Sequence, residues 1–156
     1  TRTARAFVRR PGSSSSCTMS TGVELIACET CGNKELDAQG RTRGQQLIAQ
    51  LRDLVGLHPN VQLGSTRCLW SCTRSCAVHL RSDARVGYVI GTLEPTEEHA
   101  RALLDYADLY AGTPDGAVPF KTWPPALKGH FICRIPAHTA ACGVTPPAEL
   151  ADTTGD

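Results

Sequence analysis

The chain has 156 residues, of which 41% are hydrophobic, and its formal net charge at neutral pH is +1. This length and hydrophobic content suit one compact domain with its own core. The near-neutral charge gives no electrostatic basis for binding nucleic acid, and the sequence has no run of about eighteen apolar residues that would span a membrane. We therefore expect a cytoplasmic protein that binds neither nucleic acid nor a membrane.

The two ends of the chain differ in composition from its middle. Residues 1–18 contain four arginines, many serines and no acidic residue, and Met19 is the only methionine. We interpret residues 1–18 as a disordered extension or as sequence upstream of the natural start. A targeting segment is the alternative, but a secretory signal is excluded because no apolar stretch follows. Residues 19–136 are predicted to form the folded domain. Residues 137–156, rich in Ala, Thr, Pro and Gly, are predicted to be a disordered tail.

The first half of the domain has a strand–helix–strand pattern. Residues 23–27 are typical of a short strand, and the polar, glycine-bearing residues 32–44 are typical of a loop. Apolar residues at helical spacing predict a helix from about Arg43 to Leu57, ended by Gly56 and Pro59. Residues 61–63 are a second strand candidate.

The second half predicts a hairpin, a helix and an ordered extension. Residues 77–81 and 86–90 are typical of two strands joined by a turn. Thr96 is a plausible N-cap for a helix that ends near Gly112, and residues 117–136 are predicted to pack on the domain. This order predicts an α/β domain with a small mixed sheet and two main helices, as in thioredoxin-like folds.

Two cysteine clusters carry most of the chemical information. The chain has eight cysteines but no signal peptide and long helical patterns, which favours metal or redox chemistry over a disulfide scaffold. One cluster is Cys28-x-x-Cys31, at the end of a predicted strand. The other contains Cys68, Cys72 and Cys76 and follows another strand. Loops after strand ends gather at one edge of an open sheet. Four thiolates there would suit zinc, a [2Fe–2S] cluster or a [4Fe–4S] cluster.

The surroundings of the second cluster favour a functional centre. The predicted helices and strands supply a core, so the domain does not need a metal merely to fold. Trp70 lies between two candidate ligands and is predicted to shield a centre from water. Arg67 and Arg74 flank the cluster and would offset the negative charge of a thiolate centre.

The segment from Cys68 to Val78, followed by a hairpin containing Gly87-Tyr88, resembles the thioredoxin-like, Shethna-type [2Fe–2S] ferredoxins. Residues 23–136 resemble still more closely a bacterial family of small, uncharacterised, predicted metal-binding proteins related to those ferredoxins. Besides the cysteines and the end of the second helix, the resemblance includes three further segments: Pro114-Asp115-Gly116, Val118-Pro119-Phe120 and Arg134-Ile135-Pro136.

The resemblance implies a non-enzymatic electron carrier with a [2Fe–2S] cluster on Cys28, Cys31, Cys68 and Cys72. The resemblance assigns the ligand role specifically to Cys68 and Cys72. The early pair is more closely spaced than in the ferredoxins, and Cys76 stands where they usually have a proline. Cys31 and Cys76 therefore compete for the fourth position.

Members of the bacterial family often accompany cobalamin-biosynthesis genes, which implies a metal-related or redox role. The redox partner is unspecified. Homodimerisation is left open, since the related ferredoxins often pair but the sequence has no distinctive apolar patch.

Other interpretations of the cysteines remain. A zinc or cobalt binding and trafficking protein would use the same four thiolates. A thiol–disulfide oxidoreductase would use Cys28-x-x-Cys31 at a helix start, but residues 32–42 separate Cys31 from the predicted helix. The second cluster also fits buried thiols on one helical face, although the strand-like run after it opposes this. Cys133, in the strand-like run 131–135, is expected to be a core thiol, and Cys142 is expected to have no role.

Overall fold

Five strands and two helices make up the domain in a computed structural model that describes residues 22–137. The predictions for residues 1–18, for Cys142 and for the tail from residue 138 onward lie outside this range. Neither helix in the described range is long and apolar enough to cross a membrane. The strands are β1 (Val23–Cys28), β2 (Val61–Thr66), β3 (Val78–Arg81), β4 (Gly87–Ile90) and β5 (Phe131–Ile135), and the helices are α1 (Arg43–Leu54) and α2 (Glu97–Ala111).

The strands form one mixed sheet in the order β2-β1-β3-β4-β5. Strands β1 and β2 are parallel and are connected through α1, so both finish at the same end of the sheet. Strand β3 runs antiparallel to β1 and forms the predicted hairpin with β4. The predicted α/β class with a small mixed sheet and two main helices is therefore confirmed. Its topology is compatible with a thioredoxin-like fold.

Capping residues fix the starts of the two helices. The Thr42 hydroxyl accepts a hydrogen bond from the Gln45 backbone N–H, and the Gln45 side chain accepts one from the Thr42 N–H, which completes a capping box. Thr96 caps α2 as predicted, and its first turn carries two acidic residues. The helix predicted over 43–57 ends as an α-helix at Leu54 and continues as a 3-10 turn to Leu57.

Alternate residues of the strands build a core against the helices. In β1, Val23, Leu25 and Ala27 are buried while the residues between them are partly exposed. Both helices contact β1 and each other, so they cover the same face of the sheet. Farther along, Tyr88 packs edge-on against Tyr106 and Tyr110. The core is continuous from the start of β1 to the α2 helix.

The predicted ordered extension over residues 117–136 is confirmed, and its last part joins the sheet as β5. The expectation that Cys133 is a core thiol is wrong, because its side chain is exposed. Strand β5 lies at the edge of the sheet, and Cys133 is opposite Val89, on the partly exposed face. A strand-like sequence run thus predicted the strand but not which of its sides is covered.

His79 gives the fold a pH dependence. It lies in β3 between the buried Val78 and Leu80, is only partly buried, and faces away from the core. Partial burial, and then the charge of Arg81, lower the pKa of His79 below its ordinary value of 6.5, against a smaller opposite effect of Glu24. The unfolded chain therefore binds this proton at higher pH than the folded protein. His79 contributes its full share of stability above pH 6.5 and progressively less as the pH falls.

We expect the His79→Gln variant to lose less stability than the wild type when the pH is lowered through 6.5. The free energy of unfolding, measured in urea on both sides of that pH, gives the difference in slope directly. Parallel pH profiles of the two proteins would contradict the assignment.

Candidate thiolate centre

The structure brings five cysteines to one end of the sheet, which we call the thiol end: Cys28, Cys31, Cys68, Cys72 and Cys76. Cys28 is the last residue of β1, and the segment with the other cluster leaves the parallel neighbour β2 after Thr66. The backbone N–H of Cys28 donates to the Ala77 carbonyl, 3.1 Å away. The Thr30 hydroxyl donates to the Arg67 carbonyl at 2.7 Å. The two cysteine loops are therefore tied together by the end of the sheet.

The five thiols differ sharply in exposure. Cys28 and Cys31 are each 3% exposed and Cys76 is fully buried, whereas Cys68 and Cys72 are exposed. The contacts between the thiols follow the same division into buried and exposed residues. Cys31 interacts with Cys28 and with Cys76, and Cys68 interacts with Cys72. The thiol end thus has a buried side and a solvent-facing side.

Within residues 22–137, no group of three or more His, Cys, Asp or Glu side chains has the arrangement needed to hold a metal ion. The donor set nevertheless fits a soft metal or an iron–sulfur cluster in chemical type, because all five side chains are thiols that are not paired in disulfides. Cys28 and Cys31 both contribute to the raised pKa of Cys72, so the two sides lie within electrostatic reach of each other. For one metal centre to be bound by cysteines from both sides, Cys68 and Cys72 must approach the buried cysteines.

Backbone N–H groups point at sulfur atoms on both sides of the thiol end. The Ala77 N–H donates to the Cys31 Sγ at 3.3 Å, and the Trp70 N–H donates to the Cys68 Sγ at 3.2 Å. A backbone hydrogen bond from Leu69 likewise favours the charged form of Cys28. Such donors stabilise negative charge on sulfur and are a usual means of tuning thiolate centres. Neither the cysteine spacing nor the composition indicated them.

Burial and mutual contact set the protonation of the thiols in the absence of a metal. Burial is the main cause that raises the pKa of Cys28. Contact with Cys76, and then burial, raise the pKa of Cys31 far above its ordinary value. The same contact, helped by the Arg43 charge, lowers the pKa of Cys76. Of these two thiols, Cys76 therefore loses its proton before Cys31 does. The charge of Cys68 raises the pKa of Cys72.

The N-terminus of α1 packs directly on the first cysteine loop. The Gly44 N–H donates to the Cys31 carbonyl at 3.0 Å, and the Thr42 hydroxyl donates to the Glu29 carbonyl. A Cβ atom at Gly44 would lie 2.1 Å from the Cys28 carbonyl oxygen. Residues 32–42 separate Cys31 from α1 along the chain, as predicted, so the C-x-x-C motif does not open the helix. These residues loop out and return, which brings the start of the helix against the Cys31 carbonyl. Gly44 was missed by sequence reasoning, although a glycine near the start of a helix signals close backbone approach.

Trp70 is almost fully exposed, so in this structure it does not have the covered position that the predicted shielding role implies. Its side chain is 93% exposed, and its backbone has a left-handed φ of 57°. The preceding Leu69 is partly buried and packs against the core in its place. Arg67 and Arg74 are exposed beside the cluster. The second cysteine loop therefore presents an indole and two cations to solvent.

The fold and the site define a small α/β domain with a five-stranded mixed sheet and a cysteine-rich end. Residues 25–137 match the family described as "Protein of unknown function (DUF1636)", and the chain belongs to this family. No curated protein and no solved structure matches the chain.

Proposed function

We propose that the chain is a metal-binding protein that holds a [2Fe–2S] cluster on Cys28, Cys31, Cys68 and Cys72 and carries single electrons, without being an enzyme. The observation that carries the proposal is the set of backbone N–H groups directed at sulfur on both sides of the thiol end. If the buried Cys31 served only to fill the core, it would need no such donor, since a buried neutral Cys behaves as a small apolar side chain.

Each part of the thiol end has a role in this proposal. Cys28 and Cys31 belong to the sheet end and its tightly bound loop, and they give a fixed pair of ligands. Cys68 and Cys72 lie on the exposed loop and complete the set. The cluster, when bound, supplies the uptake and release of one electron. The N–H donors, with Arg67 and Arg74 nearby, stabilise the more negative reduced form and so raise the reduction potential.

The test is metal and acid-labile sulfide analysis of the full chain purified without oxygen. We expect two iron and two sulfide per chain, as a [2Fe–2S] cluster requires, with charge-transfer absorption in the visible. One zinc per chain with no sulfide would overturn the cluster and leave a zinc protein. Absence of any bound metal after anaerobic reconstitution would overturn metal binding altogether.

Zinc or cobalt binding and trafficking is a second candidate, and the exposure of Cys68 and Cys72 favours it. A metal held partly by exposed ligands is open to attack by thiols of another protein, which a carrier needs. The discriminating measurement is exchange: a chelator should remove the metal from a carrier rapidly while far-UV circular dichroism stays unchanged.

Thiol–disulfide exchange is weakly supported. A nucleophilic cysteine needs a lowered pKa and access to its substrate. Burial raises the pKa of Cys28, the first residue of the C-x-x-C motif. Cys76 has a lowered pKa but is fully buried. Reduction of a test disulfide by the metal-free protein would support a function in thiol–disulfide exchange.

A matched pair of variants tests whether Cys31 or Cys76 is the fourth ligand. We expect Cys31→Ala to lose most of its cluster and Cys76→Ala to retain it, because Cys31 lies on the loop with Cys28 and Cys76 lies deeper in the core. Iron and sulfide content, normalised to folded protein, is the measurement. Retention in Cys31→Ala together with loss in Cys76→Ala would make Cys76 the fourth ligand.

A further inference from the structure

A cavity lies away from the thiol end, between the edge strand β5 and the segment that precedes it. Its volume is about 400 Å³, and none of the five thiols of the thiol end lines it. Its walls come from three distant parts of the chain, represented by Tyr88, Val118, Trp123, Phe131 and Arg134. We call it the aromatic cavity. Its size lies within the range of small-molecule sites.

The walls of the aromatic cavity are fixed by hydrogen bonds and ring packing. The Trp123 indole N–H donates to the Val118 carbonyl at 2.9 Å, and the Tyr88 hydroxyl donates to the Gly116 carbonyl at 2.9 Å. The Trp123 and Phe131 rings lie with their centroids 4.1 Å apart and their planes inclined by 34°. These contacts hold the rings in place without a ligand, so binding would cost little ordering of the walls.

Arg134 is the one charged residue among those that line the aromatic cavity. Its guanidinium lies 5.7 Å from the centroid of the Tyr88 ring, and it forms no ion pair within residues 22–137. Residues 117–137 contain two lysines, one arginine and no acidic residue. The nearest acid in the sequence is Asp115, whose carboxylate already accepts a hydrogen bond from the Ala117 N–H. The charge that the cavity itself offers to a ligand is therefore positive and favours an anion.

We propose that the aromatic cavity binds a small, flat aromatic molecule that carries a carboxylate. The ring system would lie against Trp123 and Phe131, where aromatic contacts stabilise it beyond simple burial. The carboxylate would meet Arg134, whose planar guanidinium suits carboxylates geometrically. Two of the segments that carry the family resemblance, Val118-Pro119-Phe120 and Arg134-Ile135-Pro136, each supply a lining residue. The proposal is independent of what the thiols bind.

Isothermal titration calorimetry of the full chain with 2-naphthoate, and with neutral 2-naphthamide as its matched ligand, tests the proposal. We expect the wild type to bind the carboxylate about tenfold more tightly than the amide, the factor expected for one charge-assisted hydrogen bond. Arg134→Gln should lower the naphthoate affinity to that of the amide. Lys128→Gln removes a cation that lies over Phe120 outside the cavity, and it should change neither affinity.

Tryptophan fluorescence gives a second measurement that locates the ligand. The chain has two tryptophans, so Trp70→Phe leaves Trp123 as the only one and Trp123→Phe leaves Trp70. We expect 4-nitrobenzoate to quench Trp123 saturably and the exposed Trp70 only in linear proportion to its concentration. Absence of naphthoate binding, equal affinities for the acid and the amide, equal losses in Arg134→Gln and Lys128→Gln, or saturable quenching only at Trp70 would each overturn the proposal.

Discussion

Replacing Cys72 with alanine is expected to abolish retention of the metal or cluster while leaving the fold intact. Cys72 is exposed and outside the core, so the substitution should change the free energy of unfolding of the metal-free protein by no more than about 0.5 kcal/mol. The loss of one of four thiolates, by contrast, leaves the centre open to water and incompletely ligated. Bound metal and sulfide, together with visible absorption, are the measurements.

Cys133→Ala is the matched control for Cys72→Ala. It removes another exposed thiol, but one on the edge strand β5 rather than at the thiol end. We expect its metal and sulfide content to equal that of the wild type. An equal loss in both variants would indicate a general effect of removing thiols and would contradict the assignment of Cys72 as a ligand.

A single methyl group at position 44 is expected to destabilise the protein strongly. Gly→Ala changes inside helices usually stabilise by about 0.5–1 kcal/mol. In α1 the sign should reverse, because the new Cβ would lie 2.1 Å from the Cys28 carbonyl oxygen, which is backbone and cannot rotate away. We expect Gly44→Ala to lower the free energy of unfolding by about 3 kcal/mol and to weaken metal retention by displacing the first cysteine loop.

The control for this change is Gly56→Ala in the 3-10 turn after α1. Nothing lies within 4 Å of a Cβ atom at Gly56, so we expect stability within about 0.5 kcal/mol of the wild type. Urea unfolding of the two variants under identical conditions is the measurement. Similar free energies of unfolding for the two variants would show that the helix start can move away from Cys28 without cost.

Local patterns in the sequence were sufficient to predict most of the fold. Helical spacing, the Thr96 cap and the turn before β4 each depend on residues close together in the chain, and these elements are confirmed. The exposed face of β5 was not predictable in this way. Whether Cys133 is covered depends on which layers pack on the sheet, and its neighbours in the chain carry no information about that.

For the thiol end, the sequence predicted that the two cysteine loops meet but not how they are arranged. Because β1 and β2 run parallel, both strands finish at the same end of the sheet. The exposure of Trp70 and the deep position of Cys76 both depend on packing between segments of the chain. The return of the chain to Gly44 depends on contacts made by a loop of irregular structure. These are tertiary features without a periodic signal.

The position of β1 inside the sheet, between β2 and β3, has a consequence for synthesis of the protein. Its two neighbours, β2 and β3, both come later in the chain, and β3 is complete only at Arg81. While the chain grows from its N-terminus, Cys28 and Cys31 leave the ribosome well before the strands and the α1 contacts that bury them can form. During that interval the two thiols are open to oxidation and to capture of unwanted metals. The folded sheet ends this vulnerable period.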